Sequence, residues 1–147
     1  MGAFKTFQVL AIFAISLQAV PGSAWGADAY GDECGACHLS YPTRMLSPPE
    51  WSRVLGDLEH HYGVDATLDA ATLQSVARRL GVTASVAPGV STTLPRITTK
   101  AWFVHEHDEV SAATFRSPRV RSAGDCAACH VGAARGEFEE DSVRVPR

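Results

Sequence analysis

Cysteine is scarce in this chain, and none of it is spare. The 147 residues hold four, and all four fall within two copies of one pentapeptide, so no pair remains for a structural disulfide. Methionine is scarcer still, with Met1 and Met45 the only two. No long acidic or basic run exists and the formal net charge is −3, so the electrostatic footprint of a nucleic-acid partner is missing. After the N-terminal stretch no second apolar run approaches the roughly 20 residues that span a bilayer. A βαβ pattern is also absent. The length suits one compact domain or two very small lobes.

The N-terminus reads as an export signal over residues 1–26. Lys5 opens it, an apolar stretch runs from Phe7 to Val20, and small residues follow, with Ala24 and Gly26 suited to a cut after Gly26. A cut after Ala24, using Gly22 and Ala24, serves nearly as well. Losing the segment removes Lys5 and leaves the mature chain near −4. A soluble, mildly acidic, exported protein is expected, with no transmembrane segment once the signal is gone.

The two pentapeptides are Cys34-Gly35-Ala36-Cys37-His38 and Cys126-Ala127-Ala128-Cys129-His130. In CxxCH two thiols about one helical turn apart add to the two vinyl groups of one haem, and the adjacent His reaches the iron. Rival readings of CxxC fit less well. A thioredoxin-type pair needs no following His and sits on a βαβ unit; a four-cysteine zinc site would use neither His; exported thiols oxidise more readily than they take up metal. Two haem c groups are expected, held by Cys34, Cys37, Cys126 and Cys129. The attachment chemistry takes place outside the bacterial cytoplasm, in accord with the export signal.

Between the motifs the pattern is helical. Ser47-Pro48-Pro49-Glu50 carries an N-cap, a proline at the first helical position and a glutamate placed to close a capping box. The spacing of Trp51, Val54, Leu55, Leu58 and Tyr62 predicts a helix to about Tyr62, with Gly63 as its stop. A second helix is predicted over Asp69 to Leu80, ended by Gly81. Residues 82–100 show no helical stripe and read as a linker or haem-covering loop. A loop so long is unusual inside one compact domain, which predicts two lobes, 27–90 and 91–147, each around one cofactor. A short helix is expected from Ala101 to Asp108, and the tail from Gly136, with Phe138, either lies over the second haem or frays. The fold class expected is mainly α, with short helices and long irregular connections.

His38 and His130 occupy one face of each iron, leaving His60, His61, His105 and His107 for the other faces. Met45, seven residues after His38, would need a tight wrap to reach the opposite haem face. On a continuous helix advancing about 100° per residue, His61 borders the apolar side defined by Trp51, Leu55 and Leu58, whereas His60 points away from it. The other pair is undecided by periodicity, because Trp102 and His105 share one face and Phe103 and His107 share another.

Taken together, the chain resembles the bacterial dihaem cytochrome c family. The likeness runs through Glu33 to His38 with Tyr41-Pro42, Trp51 to Gly63, Leu68 to Thr72, and Arg96-Ile97-Thr98. It continues through Trp102-Phe103, Glu106 to Glu109, Asp125 to His130, Gly136-Glu137-Phe138, and Val143 to Pro146. The resemblance implies a soluble periplasmic electron carrier with bis-histidine coordination at both haems, its distal ligands matching His61 and His107. Assigning His61 to the first haem and His107 to the second keeps each ligand in its own half. Filled axial positions would leave no iron open for substrate, and two imidazoles hold the potential below that of a His/Met pair. The implied redox partners are a small oxygen-binding monohaem cytochrome c and a membrane cytochrome b. Rival readings are an electron-transfer subunit resembling the small dihaem subunit of periplasmic nitrate reductases, and a dihaem enzyme or gas sensor with one open iron.

Overall fold

The structure, a computed structural model, describes residues 28–83 and 93–146. The expected export segment and the expected lobe boundary near residue 90 lie outside the described residues. Helices account for the regular structure, and no strand occurs among the described residues; backbone pairing is limited to two isolated bridges, His61 with Val64 and His130 with Val143.

Helix α1, Ala29–Gly35, starts where the Asp28 carboxylate accepts from Tyr30 N at 3.3 Å. Helix α2, Pro48–Leu55, starts where the sequence predicts, with Ser47 N and Oγ both donating to the Glu50 carboxylate at 2.9 and 2.7 Å. Its end differs from the expected Tyr62. Gly56 caps the helix, and the chain re-forms as a 3₁₀ turn over Leu58–His60. Two residues explain the break: glycine has the higher entropic cost in a helix, and Asp57, at φ −140° and ψ 45°, turns its carboxylate to His60 Nδ1 at 2.8 Å instead of continuing the spiral.

Helix α3, Ala70–Arg79, matches its predicted span within a residue at each end. Asp69 caps it, accepting from Ala71 N at 2.9 Å, Thr72 N at 3.1 Å and Thr72 Oγ1 at 2.6 Å. Gly81 stops it at φ +70°, a left-handed turn open to glycine, and Val82 N returns to Ala77 O at 2.9 Å. The bonds to Thr72 and Ala71 hold the Asp69 carboxyl below its ordinary value. A carboxyl depressed in the folded state stabilises the fold above its unfolded pKa, about 4, and that stability is lost as pH falls through the folded value. Asp69→Asn keeps a cap acceptor but cannot titrate, so its melting temperature should fall less steeply below about pH 4; an unchanged acid limb would show that Asp69 contributes nothing there.

Helix α3 packs on both α1 and α2, and Arg79 Nε reaches Asp28 at 2.6 Å. The core follows from this arrangement: Tyr30, Leu46, Trp51, Val54, Leu55, Val76, Ala77, Leu80 and Val82 form one cluster. Beyond residue 93 come helix α4, Ala101–Glu106, helix α5, Ala112–Phe115, and 3₁₀ turns at Ile97–Thr99, Cys126–Ala128, Ala133–Arg135 and Glu140–Ser142. Only Phe103, Val120 and Ala133 are buried apolar side chains among the described residues of this half, and they form no cluster of their own. Its apolar surface finds no such cluster as a partner among the described residues. The tail does not fray: Val143 bridges to His130, and Arg144 N donates to Cys129 O at 2.9 Å.

Candidate functional site

Cys34 lies in the last turn of α1, so Cys37 and His38 follow as the chain leaves the helix. His38 is oriented by two neighbours. Its Nδ1 lies 2.7 Å from Leu39 O, and the Tyr41 ring stacks on it at 5.0 Å. Donation from Nδ1 to a carbonyl leaves Nε2 with its lone pair free for a metal.

The ring opposite is His61, whose centroid lies 6.2 Å from that of His38. The helix expected to carry His61 ends earlier, so a different device aims it. After the Leu58–His60 turn, Tyr62 adopts φ +49° and Gly63 φ +100°, and Val64 N closes on His61 O at 3.1 Å. A left-handed conformation is uncommon for a residue as bulky as tyrosine. Here Tyr62 is held from outside: its hydroxyl donates to Pro95 O, and the Arg96 guanidinium lies 4.7 Å from its ring. Neighbouring His60 is exposed and bonded to Asp57, whose carboxylate holds its imidazole above the ordinary value. A ring biased toward its charged form is a poor metal donor.

At the other end of the chain the Cys126–Ala128 turn leads into Cys129 and His130, with His130 N donating to Cys126 O at 2.8 Å. His107 faces His130 with ring centroids 6.1 Å apart. It caps the C-terminus of α4, its Nδ1 lies 2.9 Å from Phe103 O, and its ring stacks on Phe103 at 4.0 Å. Phe103 is buried while Trp102 and His105 are exposed. The inward face of α4 is therefore the one carrying Phe103 and His107, which periodicity alone left undecided.

The two separations have a chemical meaning. An imidazole nitrogen sits about 2 Å from a bound first-row metal ion, as in zinc sites, and the ring centroid lies about 1 Å further back. Two imidazoles on opposite sides of one ion therefore have centroids about 6 Å apart. Burial, followed by the facing imidazole, pushes the pKa values of His61 and His130 down, which favours the neutral form a metal needs. Nδ1 of each is buried without a hydrogen-bond partner among the described residues. Among the described residues no three or more His, Cys, Asp or Glu side chains converge on one point. The donors come in twos, enough for an ion whose equatorial donors arrive with a macrocycle.

No disulfide joins any two of the four cysteines. Burial pushes Cys34 up to about 11 and also raises Cys126 and Cys129, whereas a thioredoxin-type pair lowers its reactive thiol. The surroundings thus argue against disulfide exchange. Exposed Tyr62, Val64, Trp102, Val104 and Val131 supply apolar surface.

Tyr41 joins the two sites. Its ring stacks on His38 while its hydroxyl donates to Gly124 O at 2.9 Å, two residues before Cys126, and Tyr30 donates to the Tyr41 carbonyl. The sequence shows only a tyrosine three residues after CxxCH; its partner 83 positions away leaves no local trace. Tyr41→Phe should lower stability by about 1 kcal/mol, the usual net worth of one hydrogen bond. A denaturant midpoint shift at unchanged slope would register it, and no shift would mean the bond contributes nothing.

Two CxxCH segments, each with a histidine pair at metal-spanning distance, on a mainly helical frame, define a c-type cytochrome. The chain belongs to the dihaem cytochrome c family, whose model matches residues 30–138, and carries two haem c groups. Solved structures agree. A dihaem cytochrome c from Shewanella baltica is 33% identical, with a TM-score of 0.70 over 82% of this chain and 93% of its own. One from Rhodobacter sphaeroides is 38% identical, with a TM-score of 0.62 over 75% of this chain and 94% of its own. Among curated proteins nothing matches. No described helix is long and apolar enough to cross a membrane. Membership of this family makes the chain an electron-transfer haem protein.

Proposed function

We propose that this protein is a periplasmic electron carrier, and not an enzyme, with both irons closed by histidine. Cys34 and Cys37 attach the first haem, and His38 and His61 ligate its iron; Cys129 and Cys126 attach the second, ligated by His130 and His107. The carrying observation is the separation of the two ring pairs, 6.2 and 6.1 Å. Each haem, when bound, supplies a one-electron couple whose potential follows its axial ligands. The chain's own residues orient the donors: Leu39 O and Tyr41 for His38, the Tyr62 turn for His61, and Phe103 for His107. With His38 and His61 holding one iron and His107 and His130 the other, no donor position would be left for oxygen, nitrite or peroxide, and the haems would supply electron transfer without substrate binding.

The periplasmic assignment is supported by the export pattern of residues 1–26 and by where CxxCH attachment takes place. The partners proposed, on the family resemblance, are a small oxygen-binding monohaem cytochrome c and a membrane cytochrome b, met through the small transient interfaces typical of redox encounters. Reductive titration under carbon monoxide tests the reading. Two electrons per chain should be taken up with no change in the reduced spectrum on adding the gas. A carbon monoxide complex at either haem would instead favour an enzyme or sensor.

A further inference from the structure

The two histidine pairs have nearly equal separations and different orientations. His38 and His61 are 18° from parallel, whereas His107 and His130 cross at 72°. We propose that the chain makes its two haems electronically inequivalent through this difference, and that Phe103 is the positioning residue that sets the plane of His107. The proposal rests on the bis-histidine reading above.

An axial imidazole donates π density into the iron d orbital perpendicular to its own ring. Parallel rings load the same orbital, which splits it well away from its partner and gives the unpaired electron one direction in the haem plane. Crossed rings load one orbital each and leave the two nearly degenerate. The first haem therefore has an unpaired electron with a direction set by the protein, and the second does not.

Ring orientation in each pair follows from packing. At the first site the face of Tyr41 lies 26° from His38, and the edge of Tyr62 meets His61 at 4.8 Å. At the second, Phe103 and His107 stand at i and i+4 on one face of α4, where side chains meet. Their rings stack at 4.0 Å and 15°, and the contact of Nδ1 with Phe103 O fixes the remaining rotation. Phe103 is itself wedged, being buried and flanked by Trp102 and Phe115 at 5.9 and 6.3 Å. His130 instead meets Phe138 at a tilt of 55°, with centroids 5.2 Å apart. Flattened against Phe103, His107 cannot turn parallel to His130.

Low-temperature EPR of the oxidised, fully loaded protein tests this. Two low-spin signals of one haem each are expected: a rhombic one with three resolved features, and a highly anisotropic one with a single prominent low-field feature. Two rhombic signals would overturn the proposal while leaving bis-histidine ligation intact; a high-spin signal would overturn that ligation itself. Phe103→Leu removes the flat face and should shift the anisotropic signal toward the rhombic form without moving the other, and Phe103→Tyr, which keeps the face, should restore it. An unshifted signal in Phe103→Leu would remove Phe103 from the role. Should that variant not accumulate, Phe103→Met, flexible and of similar bulk, makes the same test.

Discussion

His61→Ala should convert one haem, and only one, from low to high spin and open it to carbon monoxide, while His60→Ala leaves both unchanged. His61 is half-buried, faces His38 at 6.2 Å, and has its pKa pushed down by burial. His60 is turned to solvent and tied to Asp57. No other imidazole is placed to replace His61: among the described residues the remaining His side chains are His60, exposed His105, and the His107 and His130 pair. The effect should therefore be complete at one haem and reach half the total spectral amplitude. Absorption and EPR spectra of both variants decide it. If His60→Ala produced the high-spin haem, the assignment would be reversed; if both variants stayed fully low-spin, another residue would be the ligand.

The second large effect concerns folding. Replacing Cys126 and Cys129 together by alanine should lower the chain's mass by one haem and abolish native hydrogen-exchange protection across the C-terminal half, while α2 and α3 keep theirs. The reason is the uneven distribution of core. Nine buried apolar side chains cluster between Tyr30 and Val82. Among its described residues the far half buries only Phe103, Val120 and Ala133, and its helices α4 and α5 span six and four residues. Helices this short are not stable on propensity, and burial contributes roughly 25 cal/mol per Å² only where there is something to bury against. A haem held by His107 and His130 would provide that surface against the Phe103 and His107 face. Should the double variant keep exchange protection over residues 101–146, the haem would not be acting as the core of that half.

These results follow from features that were unequally legible in the sequence. CxxCH is read directly because covalent attachment needs two thiols and a donor at fixed spacing. The start of α2 is also read directly, since Pro48 and Glu50 act through neighbours one turn away, and α3 is read from its apolar stripe, its Asp69 cap emerging in the structure. The end of α2 was not, because hydrophobic spacing carries on through Leu58 and Tyr62 while Gly56 and Asp57 break the backbone beneath it. A helical wheel and the actual turn favour the same histidine of the first pair for different reasons: the wheel places His61 beside an apolar stripe, and the fold aims it with a left-handed Tyr62. For His105 and His107 periodicity offered two equal faces, and tertiary packing on Phe103 selects one. The links between the halves, Tyr41 to Gly124 and Glu50 to Lys100, join residues too far apart for any local pattern to reveal.

The central claim is that both irons are held between two histidines from this chain. Near-infrared magnetic circular dichroism of the oxidised protein tests it most directly, because the energy of the porphyrin-to-iron charge-transfer band depends on the axial pair. The account predicts a bis-imidazole band whose intensity accounts for two haems per chain. A histidine-methionine band worth one haem, or a high-spin band, would contradict it.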